Sequence, residues 1–319
     1  QKTAYEIGVR LVGSEMCIRD SLYDVPKMLL SSYGPLALKW NYIPKMFNWF
    51  LHYLRNCNKE SMLHTAKNMH QILSLSNDAY EEIFQEIDIE GLVEKKGIIY
   101  VWTNKNLKSR KLEIKVRNDL GIEQKLLTQK EVLDLEPNLS PVFDAGVIYE
   151  SAMHARDPHG ILKKIFKLFL ERGGKFIQSN IESLKQININ ETLIKSSNQE
   201  YKFEKTVIAS GAFSKKLTDQ LGENIPLDTE RGYHVHFKNK DSLIKRPVIF
   251  LDRGFGLTPM NQGLRAVGTV ELGGLNNPIS KKRIEYITEC AKELLPQLGQ
   301  HNDEWLGFRP TLPDFCLLY

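Results

Sequence analysis

The 319-residue chain carries 42% hydrophobic and 26% charged residues, proportions of a soluble globular protein with room for two domains. Its net charge of +4 is spread along the sequence rather than blocked, which argues against a nucleic-acid partner. No run reaches the ~18 apolar residues of a membrane span, and the four cysteines form no C-x-x-C pair, which fits a reducing compartment and speaks against a zinc site or a disulfide framework.

Residues 1–21 show no apolar period that continues beyond Ser21, and VGSEMCIRDS resembles translated vector or adapter sequence; they are set aside as a non-native leader. Both ends of the chain read as cut. From Leu22 to about Ile89 the spacing predicts helices. One carries Trp40, Phe47, Trp49, Phe50, Tyr53 and Leu54 on a broad apolar face, and a second runs from Lys59 to Ile87. Gly97–Trp102 is a β-branched and aromatic run, hence a strand, followed by a polar helix to about Leu120. Thr128 with Glu131 three residues on is a capping box for a helix that Pro137 stops, and Ala145–Tyr149 is a further strand.

A βαβ-like region comes next. Asp157 and Pro158 open a helix as N-cap and first helical residue, Gly173-Gly174 close it, and KFIQ, ETLIKS and YKF read as strands. In Lys205–Ala212 an apolar strand runs straight into Ala209, Ser210 and Gly211, then into a helix near Ser214. That turn lets backbone N–H groups approach a phosphate or ribose. The stretch Glu230–Gly274 contains three β runs, Tyr233–Phe237, Pro247–Leu251 and Leu264–Val270, separated by polar or glycine-rich turns. Small residues, Gly268, Thr269, Gly273 and Gly274, crowd its end, where a flat ligand can approach the backbone. Ser280–Leu295 is an amphipathic helix ended by Pro296. The tail GFRPTLPD holds Arg309 between an aromatic and a proline, either as a fork for a carboxylate or as an ion pair with Asp314.

Complete catalytic motifs are missing. Gly254-Phe255-Gly256 offers two glycines of a G-x-G-x-x-G, but Pro259 stands in the third place; there is no G-x-S-x-G, Walker loop or H-E-x-x-H. His234 and His236 share a strand face but lack a third metal ligand, so no metal is assigned.

Taken in order, FLHYLRNCN, GIIYVWT, DPHG, VIASGA, ERGYH, LRAVGTVEL and GFRPTLPD resemble the flavin-dependent amine oxidoreductases of the D-amino-acid oxidase superfamily, D-amino-acid dehydrogenase-like proteins above all, over Leu22 to Asp314. The resemblance implies a mixed α/β (α+β) architecture: a glutathione-reductase-like FAD-binding domain, incomplete here, interleaved with an antiparallel-sheet substrate domain. Residues 22–150 and 223–304 would form the substrate domain, 151–222 part of the FAD domain, and 305–319 the start of a last FAD-domain segment. Ala209, Ser210, Gly211, Gly268 and Thr269 would lie against FAD. Arg309 matches the Arg that grips the substrate carboxylate, with Glu271 and Tyr233 as further residues of the catalytic pocket. The expected activity is oxidation of an amino acid's α-carbon by hydride transfer to flavin, with oxygen, a quinone or an electron-transfer partner as acceptor. The expected location is cytoplasmic, and a quinone acceptor would set the protein peripherally at the inner face of a membrane.

The chain departs from that pattern in three ways. The family's G-x-G-x-x-G βαβ should precede Leu22, a glycine-rich flavin segment should follow Asp314, and Gly256 stands where several relatives carry an active-site Tyr. Those departures favour a second reading, a non-catalytic piece or ligand-binding protein of the same fold without FAD.

Overall fold

The computed structural model describes residues 36–56, 58–104 and 107–313. The leader, the beginning of the expected helical segment and Asp314 lie outside the described residues. In chain order a short strand β1 (Leu36–Leu38) leads into three helices, α1 (Ile43–Asn56), α2 (Lys59–Leu73) and α3 (Ser76–Glu86). Then come β2 (Val93–Glu94), β3 (Ile98–Trp102), α4 (Leu107–Asp119), β4 (Lys125–Thr128), α5 (Gln129–Leu135), β5 (Ala145–Tyr149) and β6 (His154–Ala155). Helix α6 (Pro158–Glu171) precedes a small meander of β7 (Ile181–Asn188), β8 (Glu191–Ser196) and β9 (Glu200–Phe203). After a one-turn helix α7 (Lys215–Thr218) the chain forms β10 (Asp228–Lys238), β11 (Val248–Phe250), β12 (Phe255–Met260), β13 (Gly263–Leu272), α8 (Lys281–Leu294) and β14 (Asp303–Thr311).

Among the described residues, nine strands make one sheet in the order β14-β10-β13-β12-β11-β3-β5-β4, with β1 added beside β13. All its pairings are antiparallel except β11–β3 and β1–β13. Side chains alternate between its two faces. On one face Tyr233, Val235, Phe237, Val248, Phe250, Phe255, Leu257, Leu264 and Ala266 pack against Ile284, Ile287, Cys290, Ala291 and Leu294 of α8. The i, i+3, i+7 spacing of those α8 residues puts them on one stripe. Each fully buried Ile, Leu or Phe there contributes about 1.5–3 kcal/mol, so this layer holds the sheet rigid. The second face carries a smaller apolar cluster of Ile98, Tyr100, Trp102, Val147 and Ile249, with Val267 against it. Toward β10 and β14 that face turns polar, and there the candidate site lies. Helix α1 seats Met46, Trp49 and Tyr53 against Leu272 at the end of β13.

The structure revises four expectations. The helix expected over Lys59–Ile87 breaks after Leu73, where the Ser74 and Ser76 hydroxyls donate to the carbonyls of Gln71 and Leu73 and compete with the helical ladder. The glycine-rich turn after Leu251 is largely a strand, β12, in which Phe255 and Leu257 enter the core. Its Pro259 lies beyond the end of β11, where β12 pairs on one side only. The tail is strand β14 at the edge of the sheet, so the expected boundary at 304/305 falls inside an element. Finally, KFIQ and Lys205–Ala209 form no paired strands. No described strand lies beside them, and Phe176, Ile177 and Val207 remain exposed.

Strand β6 brings a pH-sensitive group into the interior. His154 is 1% exposed, and neither ring nitrogen has a hydrogen-bond partner. Burial pushes its pKa from 6.5 down to about 4, against the pull of Glu94, whose carboxylate lies 3.8 Å away. The unfolded chain therefore takes up this proton near 6.5 and the folded chain only near 4. Its contribution to stability is complete above 6.5 and is lost as pH falls through that window. Chemical denaturation of His154→Gln should show a smaller loss of stability between pH 7 and 4.5 than the parent chain; an equal loss would assign the acid sensitivity elsewhere.

Candidate active site

The site is organised around Gly232, in the middle of β10. On one side β13 bulges: Arg231 pairs with Glu271 and Tyr233 with Gly268, leaving Thr269 and Val270 opposite Gly232 alone. On the other side Gly232 faces Gly307 of β14. A Cβ at Gly232 would lie 2.7 Å from Cζ and Nη2 of Arg309, so the missing side chain is what seats the guanidinium on the sheet. Likewise the Trp305 indole occupies the space a Cβ at Gly307 would need. Arg309 and Trp305 stand two residues to either side of Gly307 and lean onto one glycine floor. Arg309 has no hydrogen-bond or ion-pair partner among the described residues.

His234, next on this face of β10, stacks on Trp305 with ring centroids 4.8 Å apart and planes 18° from parallel. Burial, then the positive charges of Arg265, His236 and Arg309, push its pKa down to about 3. The imidazole is neutral at physiological pH. It is no proton acceptor there; on the same face Glu230 stands across from Arg309 and Asp303 across from His236.

Glu271 and Tyr233 lie across the sheet from Arg309. The bulge puts Glu271 in register with Arg231, and both point to the α8 side. Arg231 is fully buried, with Nε 2.8 Å from Glu271 Oε1. Its terminal nitrogens donate to the carbonyls of Gly274, Asn277 and Pro278 at 3.1, 2.7 and 2.7 Å. Tyr233 Oη donates to Glu271 Oε1 at 2.9 Å and accepts from the Ser280 N–H at 3.3 Å. Burial raises the Tyr233 pKa and keeps the phenol neutral. Lys39 Nζ approaches the other Glu271 oxygen at 3.6 Å. These groups tie β10, β13 and the start of α8 together. The three residues read from sequence as one pocket thus divide between two faces, because strand alternation places Arg231, Tyr233 and Glu271 on the side opposite the Arg309 guanidinium.

The residues expected against the cofactor fall in two places. Ala209, Ser210 and Gly211 form an exposed turn. Gly211 has φ 59° and no heavy atom within 4 Å of a Cβ built on it, so a ligand has free access to its backbone. The turn leads to Phe213, whose ring meets Phe308 edge-on at 6.1 Å, on the Arg231 side of the sheet, and so brings the turn beside β14. Gly268 has a different reason to be glycine: a Cβ there would lie 2.6 Å from Phe255 Cβ and 2.7 Å from the Gly254 carbonyl, so it serves the close approach of β12.

Thr269, in the bulge, has φ 60°, is 3% exposed, and buries a hydroxyl without a hydrogen-bond partner. A β-branched residue in the left-handed region costs about 1–3 kcal/mol, and the orphaned hydroxyl adds to that. Strain together with an unpaired polar atom makes Thr269 a candidate ligand contact. Thr269→Gly is expected to stabilise the cofactor-free protein by about 1 kcal/mol and to weaken flavin retention. Thermal denaturation and flavin content of the purified variant check both halves, and unchanged flavin content would remove Thr269 from the site.

Sequence reading missed Gly232, Gly307 and Trp305. Their signal was present as ERGYH and WLGFRP, two segments with a glycine at matching distance from an aromatic or basic residue; only the pairing of β10 with β14 shows that these glycines face one another.

The chain from residue 32 to 318 matches the family described as FAD dependent oxidoreductase, DAO. It belongs to that family. It is 29% identical over 296 residues to a D-amino-acid oxidase of Bradyrhizobium diazoefficiens, a match that covers 91% of this chain and 70% of that relative. It is 26% identical to a D-amino acid dehydrogenase of Vibrio atlanticus, over 90% of this chain and 71% of the relative. In fold it is similar to glycine oxidase from Geobacillus kaustophilus (TM-score 0.67, 19% identity, 80% of this chain and 68% of the other). A similar likeness holds to L-proline dehydrogenase from P. horikoshii (TM-score 0.65, 17% identity, 80% and 68%). The mixed α/β architecture is that of these flavin enzymes, and the cofactor of this oxidoreductase is FAD. The residues present fit it: the open backbone at Ala209–Gly211 and the unpaired hydroxyl of Thr269 are groups that would hold a flavin nucleotide. Among the described residues no helix is long and apolar enough to cross a membrane, and no group of three or more His, Cys, Asp and Glu side chains could hold a metal ion.

Proposed function

We propose that this FAD-dependent oxidoreductase oxidises the α-carbon of an amino acid, with D-amino acids as the substrate class and Arg309 as the carboxylate fork. The observation that carries this reading is Arg309 itself: a guanidinium seated on a glycine floor, its side chain without a hydrogen-bond or ion-pair partner among the described residues. A planar fork of N–H donors in that setting matches a carboxylate in bidentate fashion. The names of the Bradyrhizobium and Vibrio relatives support the choice of D-amino acids.

Bound flavin supplies the hydride acceptor. The protein's own part is placement: with the carboxylate held at Arg309, the α-carbon has one position on the face, and orientation lowers the barrier without a strong base. Neutral His234 neither competes for the carboxylate as a charged group would nor takes a proton from the substrate. The imino acid that forms hydrolyses in water. Glu271 and Tyr233 contribute by holding the bulge from behind. In this reading residues 151–222 carry the cofactor turn; their strands β7, β8 and β9 form a sheet of their own, apart from the one that bears Arg309.

A dye-reduction assay on the flavin-loaded protein with D- and L-amino acids, glycine and proline tests the reading whatever the physiological acceptor is. Reduction by D-amino acids is expected. Reduction by amines lacking a carboxylate, at equal efficiency, would contradict the role given to Arg309.

A further inference from the structure

The carboxylate fork explains one end of the substrate; the same floor carries an unexplained aromatic pair at the other. Trp305 is 55% exposed although its ring is held on both sides of its edge, over Gly307 and against His234. An indole fixed in place yet left open to solvent presents a flat apolar surface at little entropic cost on binding. Arg309 and Trp305 project from the same face of β14, each two residues from Gly307, so their Cα atoms lie about 13 Å apart along the strand. Both lean inward onto Gly232 and Gly307, which face each other directly. Any side chain at either glycine would displace one of the two groups. The paired glycines therefore bring a carboxylate fork and an aromatic platform toward one another, so that the carboxylate and β-substituent of a single amino acid can reach both.

We propose that Trp305, backed by His234, is the side-chain subsite of this enzyme and favours amino acids with an aromatic or other planar side chain. The proposal rests on the reading of Arg309 as the carboxylate fork. His234 is the backing element: its neutral ring stacks on the indole and fixes its tilt, and it makes no ionic claim on the substrate. An aliphatic side chain would gain contact area only, whereas a phenyl or indolyl group would also gain an offset-stacked or edge-on arrangement.

The test compares kcat/KM for D-phenylalanine and D-alanine in the flavin-loaded enzyme and in Trp305→Leu and Trp305→Phe. Trp305→Leu should lower the phenylalanine-to-alanine ratio by about five- to tenfold, a stacking contribution of ordinary size, with the change in KM rather than kcat. Trp305→Phe should restore most of the ratio. A ratio unmoved in Trp305→Leu, or losses equal for both substrates, would overturn the subsite and leave Trp305 a strut of the sheet edge. As a second measurement independent of turnover, phenylacetate and acetate are titrated into the flavin-loaded proteins and the flavin spectrum is followed. The parent should bind phenylacetate more tightly and lose that preference in Trp305→Leu. If the parent oxidises both amino acids and depends on Arg309 but shows no such preference, only the subsite fails. If it oxidises neither, the reading of Arg309 falls and the subsite with it.

Discussion

Replacing Arg309 by alanine is expected to lower kcat/KM for amino-acid substrates by about two to three orders of magnitude, the worth of a bidentate charge-assisted pair. The loss should fall mainly on KM, because the fork holds the carboxylate in the ground state as well as in the transition state. Arg309→Lys keeps the charge but gives up the planar fork, and it should recover only part of the loss. Stability should scarcely change, since Arg309 has no partner among the described residues to leave behind. Steady-state kinetics on both variants, with a thermal melt alongside, check all three statements. A large fall in melting temperature in Arg309→Ala would show that the guanidinium is a structural tie instead.

Glu271→Ala should do the reverse. It leaves the Arg231 guanidinium fully buried, still bonded to three carbonyls but without its counter-charge. Removing one partner of a buried pair costs about 3–5 kcal/mol, enough to unfold a domain of ordinary stability. Replacing both members together, as Arg231→Met with Glu271→Leu, should recover much of that, since no charge then stays unpaired. Urea denaturation of the two single variants and the double variant reads the coupling directly. If Glu271→Ala kept its stability and lost activity instead, Glu271 would belong to the chemistry and the division of the site between two faces would be wrong.

These two predictions separate what the sequence could and could not place. The strands GIIYVW and AGVIY, the Thr128 capping box, the Asp157-Pro158 helix start and the α8 stripe were legible because each depends on neighbours in sequence: β-branched runs, caps and helical periods. Strand β12 was hidden by its own glycines and proline, which read as a turn until Phe255 and Leu257 are seen to fill the core between two partners. KFIQ and Lys205–Ala209 have the composition of strands, yet pairing is a property of the neighbour and not of the segment. Arg309 was singled out through its motif. The structure sets Glu271 and Tyr233 on the face opposite the Arg309 guanidinium, Tyr233 by strand alternation and Glu271 because the one-residue bulge in β13 resets its register. The bulge at Thr269 is invisible in composition. So is the meeting of Gly232 with Gly307, which depends on the register of two strands far apart in sequence.

The most direct test is anaerobic reduction of the bound flavin in a single turnover. Flavin-loaded parent protein mixed with a D-amino acid should bleach at a rate that saturates with substrate concentration. In Arg309→Ala the same bleaching should require substrate at concentrations higher by about two orders of magnitude or more. Half-saturation at the same concentration in both proteins would contradict the assignment of the substrate carboxylate to this face of the sheet.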